Sequence, residues 1–492
     1  MQESKPPEPD SPALPYFSKL NGKSRTILCG SIITLVFLAL GISYPSAVNR
    51  INNATTDFQI GLLPAAQLPP TPLIVEVDEQ SLASYGQWPW PRYQVARLLA
   101  AIRQAGAAAV GVDAVFAEPD RTSPVAIQQA MKRDLNQALP LTDIDPSFWN
   151  YDAILGKTLT NGPFVLSYFF SFDKGNSPSN PCLPKSASGA FISTDGNKEF
   201  DQLHHAADVI CNVLPIQESA HASGFINSSP DSDGIYRRTP LLIEYKGRLY
   251  PSLALQTFLS AHKLDNYLLS STDSGLALQA GKLIVPLDKS ANLLIKFPTK
   301  GQQFTKISAA DVLSGNFTQD FFKDKIVFIG FSAAGLHEYR PTPYSPQFLG
   351  VEFHATIVDN FIRRDFLQRP ENSQTIELVA AAILSLALFI GLAGAGLASS
   401  ISIPCLLAVL LIASSQFVLL KSGTVISPAL PAIMVLVSFL MLALLKYIGE
   451  YLRAKQMALL VARTQEGIIG SFCSMSEYRD PETGAHIKRT QA

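Results

Sequence analysis

Residues 376–397 read IELVAAAILSLALFIGLAGAGL, residues 398–420 read ASSISIPCLLAVLLIASSQFVLL, and residues 423–445 read GTVISPALPAIMVLVSFLMLALL. Glu377 and Lys421 are the only charges in these three runs and their junctions. A helix needs roughly 20 apolar residues to cross about 30 Å of hydrocarbon, and each run supplies them. Core helices of soluble proteins rarely exclude charge for so long. The junctions, Ala-Ser-Ser and Lys-Ser-Gly, are short and force antiparallel neighbours. Residues 375–446 therefore predict a compact three-helix membrane unit.

A fourth apolar run, TILCGSIITLVFLALGISY, covers residues 26–44, with Lys19, Lys23 and Arg25 just before it. No clean small-x-small cleavage site follows, so it reads as an uncleaved helix rather than a signal peptide. Its basic flank places residues 1–25, rich in Pro and polar residues, in the cytoplasm as a disordered leader. Four crossings then put residues 45–374 outside and everything after Lys446 inside. Lys446, Arg453, Lys455 and Arg463 agree with that orientation. The 492 residues are 16% charged, with a net charge of −1 and a mean hydropathy of +0.17. This balance gives no electrostatic case for a nucleic-acid partner. Of five cysteines, only Cys182 and Cys211 share the outer compartment. They are the pair that can form a disulfide; two free buried thiols is the alternative.

Residues 46–72 read as a lead-in ending in a Pro-rich joint. The outer segment then opens with an apolar strand over 73–77, closed by Asp78. A loop with two Trp and two Pro follows over 81–92, then a helix over 93–105 and a second strand within 108–116. Strand, helix and strand over about 40 residues make a βαβ unit with a right-handed crossover. Asp78 and Asp113 then sit at or near the carboxyl ends of parallel strands, the edge where open α/β sheets bind ligands. With Arg92 from the intervening loop they are the candidate ligand contacts; a helix or turn cap is the competing role for each aspartate. Residues 173–202 read as a long surface insertion. Asp231, Asp233 and Gly234 form a turn that lacks the remaining ligands of a calcium loop. A helix is expected over 251–262 with Pro251 at its start, and another over 350–362. His354 on the latter reads as a satisfied interface histidine, with a ligand role as the alternative. The fold class is an α/β periplasmic sensor domain with a mixed, partly parallel sheet, joined to an all-α membrane part of four transmembrane helices.

After the last membrane run, residues 447–475 read as a signalling helix able to pair with a second copy. In residues 476–492, Asp480-Pro481 is a helix start, and Glu482 and His486 share a face four residues apart. A carboxylate and an imidazole so placed begin a metal site without completing one. Arg479-Asp480-Pro481-Glu482-Thr483-Gly484 with His486-Ile487 and Arg489-Thr490-Gln491 resembles the opening helix of HD-GYP domains. Those are bacterial phosphohydrolases that cleave cyclic di-GMP at a divalent-metal centre of the iron or manganese type. The resemblance assigns Glu482 and His486 to early metal ligands and implies no catalytic residue within this chain. The remaining ligands would lie beyond Ala492, so the 492-residue chain is expected to hold no metal and to be inactive, and a longer parent to be a phosphodiesterase.

The outer segment carries its own resemblance. Asp78-Glu79, Gly86-x-Trp88-Pro89-Trp90-Pro91-Arg92 and Gly111-Val112-Asp113 occur in order with Phe116-x-Glu118-Pro119-Asp120. Then come Gly224-Phe225, Pro230-Asp231-x-Asp233-Gly234, Arg237-Arg238, Thr342-Pro343 and Gly350-Val351-Glu352-x-His354-Ala355. Together they resemble the second class of CHASE domains, extracytoplasmic sensors followed by three membrane helices and a cytoplasmic output. The segment His337-Glu338-Tyr339-Arg340 departs from that pattern. The resemblance implies a multi-pass receptor of a bacterial inner membrane, both termini cytoplasmic, with an unknown extracytoplasmic ligand and a homodimeric state. Its output would be cyclic di-GMP hydrolysis. A catalytically inert regulatory or dimerisation protein acting on full-length partners is the alternative.

Overall fold

In a computed structural model of the chain, the described residues are 22–64, 69–138, 140–160, 162–173, 182–185, 189–192, 202–272, 275–298 and 302–479. They divide into two compact units. The membrane unit takes the described residues of Met1–Asn52, Gln374–Ser414 and Ser427–Ala492, and the α/β unit takes those of Asn53–Ser373 and Ser415–Ile426.

Among the described residues of the α/β unit, seven strands form one sheet. They are β1 (Leu73–Val77), β2 (Ala109–Val112), β3 (Phe164–Ser171), β5 (Asp208–Ile210), β6 (Ala222–Phe225), β14 (Thr305–Ser308) and β15 (Ile326–Phe331). The order is β14-β1-β15-β2-β3, all parallel. The first half of β3 pairs with β6 in parallel and its last three residues with β5 antiparallel. A smaller sheet runs β12 (Leu283–Leu287), β11 (Gly275–Ala280), β10 (Asn266–Thr272) and β4 (Gly189–Ile192). Two pairs complete the unit: β7 (Arg238–Pro240) with β13 (Asn292–Leu294), and β8 (Leu242–Tyr245) with β9 (Arg248–Pro251).

Alternation along the parallel strands sends side chains to two faces. Val75, Val77, Val110, Val112, Val327 and Ile329 meet helices α4 (Arg92–Gln104), α6 (Tyr151–Thr160) and α9 (Ala309–Ser314). Ile74, Val165 and Phe328 meet α8 (Leu253–Ala261) and α10 (Gly350–Arg363) on the other. Gly111 lets α8 close on the sheet: a Cβ there would stand 2.6 Å from the Phe328 ring and 2.8 Å from Thr257 Oγ1. The unit also holds helices α3 (Glu79–Tyr85), α5 (Pro124–Leu135) and α7 (Leu214–Ser219). The Cys182–Cys211 disulfide, with S–S 1.95 Å, lies beside Val209 in a small aromatic cluster.

The membrane unit is built from α1 (Gly22–Ser43), the first turns of α2 (Pro45–Gly61), α11 (Ser373–Leu392), most of α12 (Leu397–Ser422) and α13 (Ala429–Arg479). Among the described residues, four helices are long and apolar enough to cross a membrane. Small polar side chains join them, as expected where lipid offers no hydrogen bonds. Thr34 Oγ1 lies 2.8 Å from Ser385 Oγ, which lies 2.9 Å from Ser438 Oγ, linking α1, α11 and α13. Glu377 is 1% exposed. Its Oε2 accepts from Asn52 Nδ2 at 2.6 Å and its Oε1 from the Ser427 amide at 3.0 Å.

Several expectations change. Residues 46–72 are not a bare lead-in, since α2 runs from Pro45 to Gly61. Its buried positions are Val48, Asn52, Thr56, Gln59 and Ile60, and the polar middle of that stripe hides the helix from apolar periodicity. The 81–92 loop begins inside α3, which Asp78 caps. The 173–202 insertion contains β4, paired in parallel with β10. Pro251 closes β9, and Ser252 caps α8 instead. The connection between the first two C-terminal membrane helices is residues 393–396, not Ala-Ser-Ser. Glu482 and His486 lie outside the described residues.

Candidate functional site

The carboxyl edge of the parallel sheet carries both aspartates, but it uses them differently. Asp78 follows β1 and is spent on local structure. Its Oδ1 accepts from the Ser81 amide at 2.9 Å, from Ser81 Oγ at 2.6 Å and from Ser308 Oγ at 2.8 Å. It thus caps α3 and joins it to the start of α9, the cap role weighed against ligand binding.

Arg92, buried at 7% exposure, is a brace. Its amide donates to Asp120 Oδ2 at 2.7 Å, its Nη2 to the Glu118 carbonyl at 3.3 Å, and its Nε lies 3.6 Å from Asp152 Oδ1. Its guanidinium covers the Phe116 ring at 4.5 Å. Asp78 and Asp113 end strands separated by β15, roughly 9–10 Å at the usual strand spacing. The structure does not gather the three expected ligand contacts into one cluster.

Asp113 instead meets residues from the far end of the chain. Its amide donates to the Ile329 carbonyl at 2.9 Å, holding the end of β2 against β15. Its side chain, 15% exposed, has Oδ1 3.9 Å from His354 Nε2. A Cβ on Gly350, the first residue of α10, would stand 3.6 Å from Asp113 Oδ2 and 3.8 Å from Arg340 Nε. The loop before α10 carries Arg340 into place through two backbone bonds, Arg340 N to the Phe348 carbonyl at 2.8 Å and Gly350 N to the Glu338 carbonyl at 3.1 Å. The Arg340 guanidinium lies over Phe353 at 5.1 Å, and Nη2 is 3.6 Å from Glu338 Oε2.

This cluster is electrostatically unfinished. Arg340 is 4% exposed and His354 3% exposed. Among the described residues, Arg340 Nε and Nη1 and both His354 ring nitrogens are buried without a hydrogen-bond partner. Burial pushes the Asp113 carboxyl up to about 6, against the pull of Arg340 and with a further push from Glu338. Burial, with the Arg340 charge beside it, holds His354 well below the ordinary imidazole value, so the ring is neutral. His354 was expected to be a satisfied interface histidine; its bare nitrogens overturn that. Arg340 was visible only as a departure in the 337–340 segment, because tertiary contact alone brings it beside Asp113. An edge of this kind, with an arginine whose Nε and Nη1 are unsatisfied, a neutral imidazole and a carboxyl of raised pKa, can take a polar ligand bearing both acceptors and donors. On the α4 face of the sheet, a tight cavity of about 10 Å³ lined by Trp88, Trp90, Val112, Phe116 and Phe331 has room for roughly one water.

A second charged cluster is complete. Arg237 donates to Asp57 Oδ1 at 2.9 Å, Asp231 Oδ2 at 3.0 Å and Asp233 Oδ2 at 2.9 Å. The turn first read as a weak calcium candidate therefore serves an arginine. Burial opposes the Arg237 charge, but its bonds to Asp57 and Asp233 outweigh it and raise its proton affinity. The hydrogen bond from Arg237 is the main reason the Asp233 carboxyl falls below its usual value. Asp57 belongs to α2, so the cage fixes the end of that helix to the unit.

The same unit holds residues 415–426, the end of α12 and the start of its connection to α13. The Gln368 amide donates to the Gly423 carbonyl at 3.0 Å, and the Val425 amide donates to the Gln368 carbonyl at 2.8 Å. Gln368 Nε2 reaches Thr424 Oγ1 at 3.1 Å. Gln59 Nε2 donates to Ser415 Oγ at 2.7 Å. Ile60, Leu63, Leu367, Leu419 and Val425 fill the joint. Among the described residues no group of three or more His, Cys, Asp or Glu could hold a metal ion.

Comparison with curated proteins and with solved structures gives no match. The CHASE2 domain matches residues 32–395, a span that takes in α2, the whole parallel sheet and α10 as well as apolar helices on both sides. That span is well over half of the 492 residues, and the chain belongs to the CHASE2 domain family.

Proposed function

We propose that the protein is a membrane-bound receptor whose α/β unit detects an extracytoplasmic stimulus and whose α13 regulates a cytoplasmic output. The family supplies the sensor role in signal transduction. The observation that carries the rest is the joint. The connection between α12 and α13 is bonded through Gln368 into the sensing unit, and α13 begins four residues after Val425. A shift at the sheet edge has a covalent route to α13 through that connection. Asp113 is the expected ligand residue retained here, together with Arg340 and His354.

The resemblance of residues 479–491 to an HD-GYP opening supports cyclic di-GMP hydrolysis as the output of a chain that continues past Ala492. Glu482 and His486 would join its metal ligands there. Homodimerisation is supported by α13. Tyr447, Ala454, Val461, Ile468 and Met475 recur every seven residues, interleaved with Tyr451, Ala458, Gln465 and Phe472, and all are exposed. This is the spacing of a two-helix seam.

Two measurements test the reading. Cys182 and Cys211, after reduction and mild unfolding, are expected to react with a membrane-impermeant thiol reagent from outside intact cells. Labelling only from the cytosol would overturn the topology. An extended chain carrying a full HD-GYP domain is expected to hydrolyse cyclic di-GMP while the 492-residue chain does not. Hydrolysis by the shorter chain would refute the output assignment.

A further inference from the structure

Two cavities in the α/β unit share one residue, Arg364. The first, about 360 Å³, is lined by Leu63, Lys296, Arg364, Phe366, Leu419 and Lys421 among others. The second, about 340 Å³, has an apolar floor of Phe258, Leu283 and Phe361 under a rim of His262, Lys282 and Arg364. Lys296 is neutralised by Asp365 at 2.5 Å. Arg364, Lys282 and Lys421 make no ion pair among the described residues; Lys421 rests over the Phe417 ring at 6.0 Å. The trough is therefore basic, with Arg364 at its centre.

Its position gives that charge a meaning. Residues 419–422 close a segment, Ser399–Ser422, long and apolar enough to cross a membrane. A wall made by the last turn of a membrane span lies at the boundary between hydrocarbon and headgroups. Apolar side chains beside unpaired cations at that depth suit a molecule with acyl chains and an acidic headgroup. Arg364 is also an unusual residue for its place. It ends α10 at φ 52°, in the left-handed region where glycine is the ordinary helix stop.

We infer that this trough binds an anionic phospholipid by its phosphate headgroup, with Arg364 and Lys421 as the phosphate contacts and Lys282 on the outer rim. The site is separate from the Asp113 edge and does not depend on which output the receptor drives. The full chain, purified in a neutral detergent, would be offered phosphatidylglycerol or phosphatidylcholine, and retained lipid counted by native mass spectrometry. Preferential retention of phosphatidylglycerol is expected, with the preference falling about fivefold for each cation removed in Arg364→Gly and Lys421→Gln. Arg364→Gly relieves the left-handed backbone, so its thermal midpoint is expected to hold or rise while lipid preference falls. Equal retention of the two lipids by the unaltered chain would overturn the inference. So would competition by millimolar glycerol phosphate that matches the lipid, because that outcome assigns a free-anion site.

Discussion

Two arginines are buried to nearly the same degree in the α/β unit, Arg237 at 6% and Arg340 at 4% exposure. Arg237 is surrounded by three carboxylates that saturate its fork. Arg340 reaches one carboxylate at 3.6 Å and leaves Nε and Nη1 bare. Asp113 stands near it without an ion pair, across the space in front of Gly350. The first arrangement is what a fold needs to hold an element in place. The second leaves desolvation uncompensated, and such sites are characteristic of binding. The contrast separates an arginine that holds an element in place from one whose unsatisfied groups a ligand could meet.

Identical substitutions break the comparison most sharply. Arg237→Met strands three acidic groups around an apolar side chain and is expected to lower the unfolding free energy by about 3–5 kcal/mol in denaturant titrations. Asp113→Asn tests the other cluster through pH. The Asp113 pKa of about 6 lies above the ordinary 3.8, so the native state binds this proton more tightly than the unfolded chain does. The stability so gained is complete below about pH 4 and lost as pH rises through about 6. Asp113→Asn is therefore expected to match the unaltered chain below pH 4 and to exceed it by about 3 kcal/mol at pH 8. Equal stability at both pH values would remove the electrostatic case for this edge.

Arg340→Met is expected to hold or raise stability, since it removes a buried cation whose desolvation is largely uncompensated. It also deletes the charge that draws Asp113 downward, so the Asp113 transition is expected to move to higher pH. A loss as large as that of Arg237→Met would show the two arginines to be equivalent. The smallest effect is expected from Gly350→Ala. Its Cβ meets nothing closer than 3.6 Å, so stability is expected to stay within about 0.5 kcal/mol. The methyl occupies the space between Asp113 and Arg340, so any response of the receptor to its stimulus is expected to weaken. An unchanged response, read as cyclic di-GMP in cells carrying the extended chain, would show that ligands do not use that space.

The parallel sheet was legible because its strands are apolar and its first crossover is local in sequence. Val75, Val110 and Val327 needed only their own neighbours to be read as strands. The membrane segments were legible for the same reason, through long runs free of charge. What escaped was carried by polar side chains or by distance along the chain. The middle of the buried stripe of α2, between Val48 and Ile60, is Asn52, Thr56 and Gln59, which hydropathy does not mark as interior. Arg340 and His354 stand more than 200 residues from Asp113, and their missing partners exist only as a three-dimensional fact. Asp78 and Asp113 had the same local signature, a strand end, yet Ser81 and Ser308 consume one of them.

Helix α13 runs unbroken for 51 residues from Ala429. At 1.5 Å per residue that is a rod of about 76 Å, and a tilt of roughly 2° at its first turn would displace its far end by roughly 3 Å. Gln368 grips the chain four residues before that rod begins, close to its fulcrum. Leverage of this kind would let a rearrangement too small to alter the sheet become a movement of several ångströms at the far end of the rod.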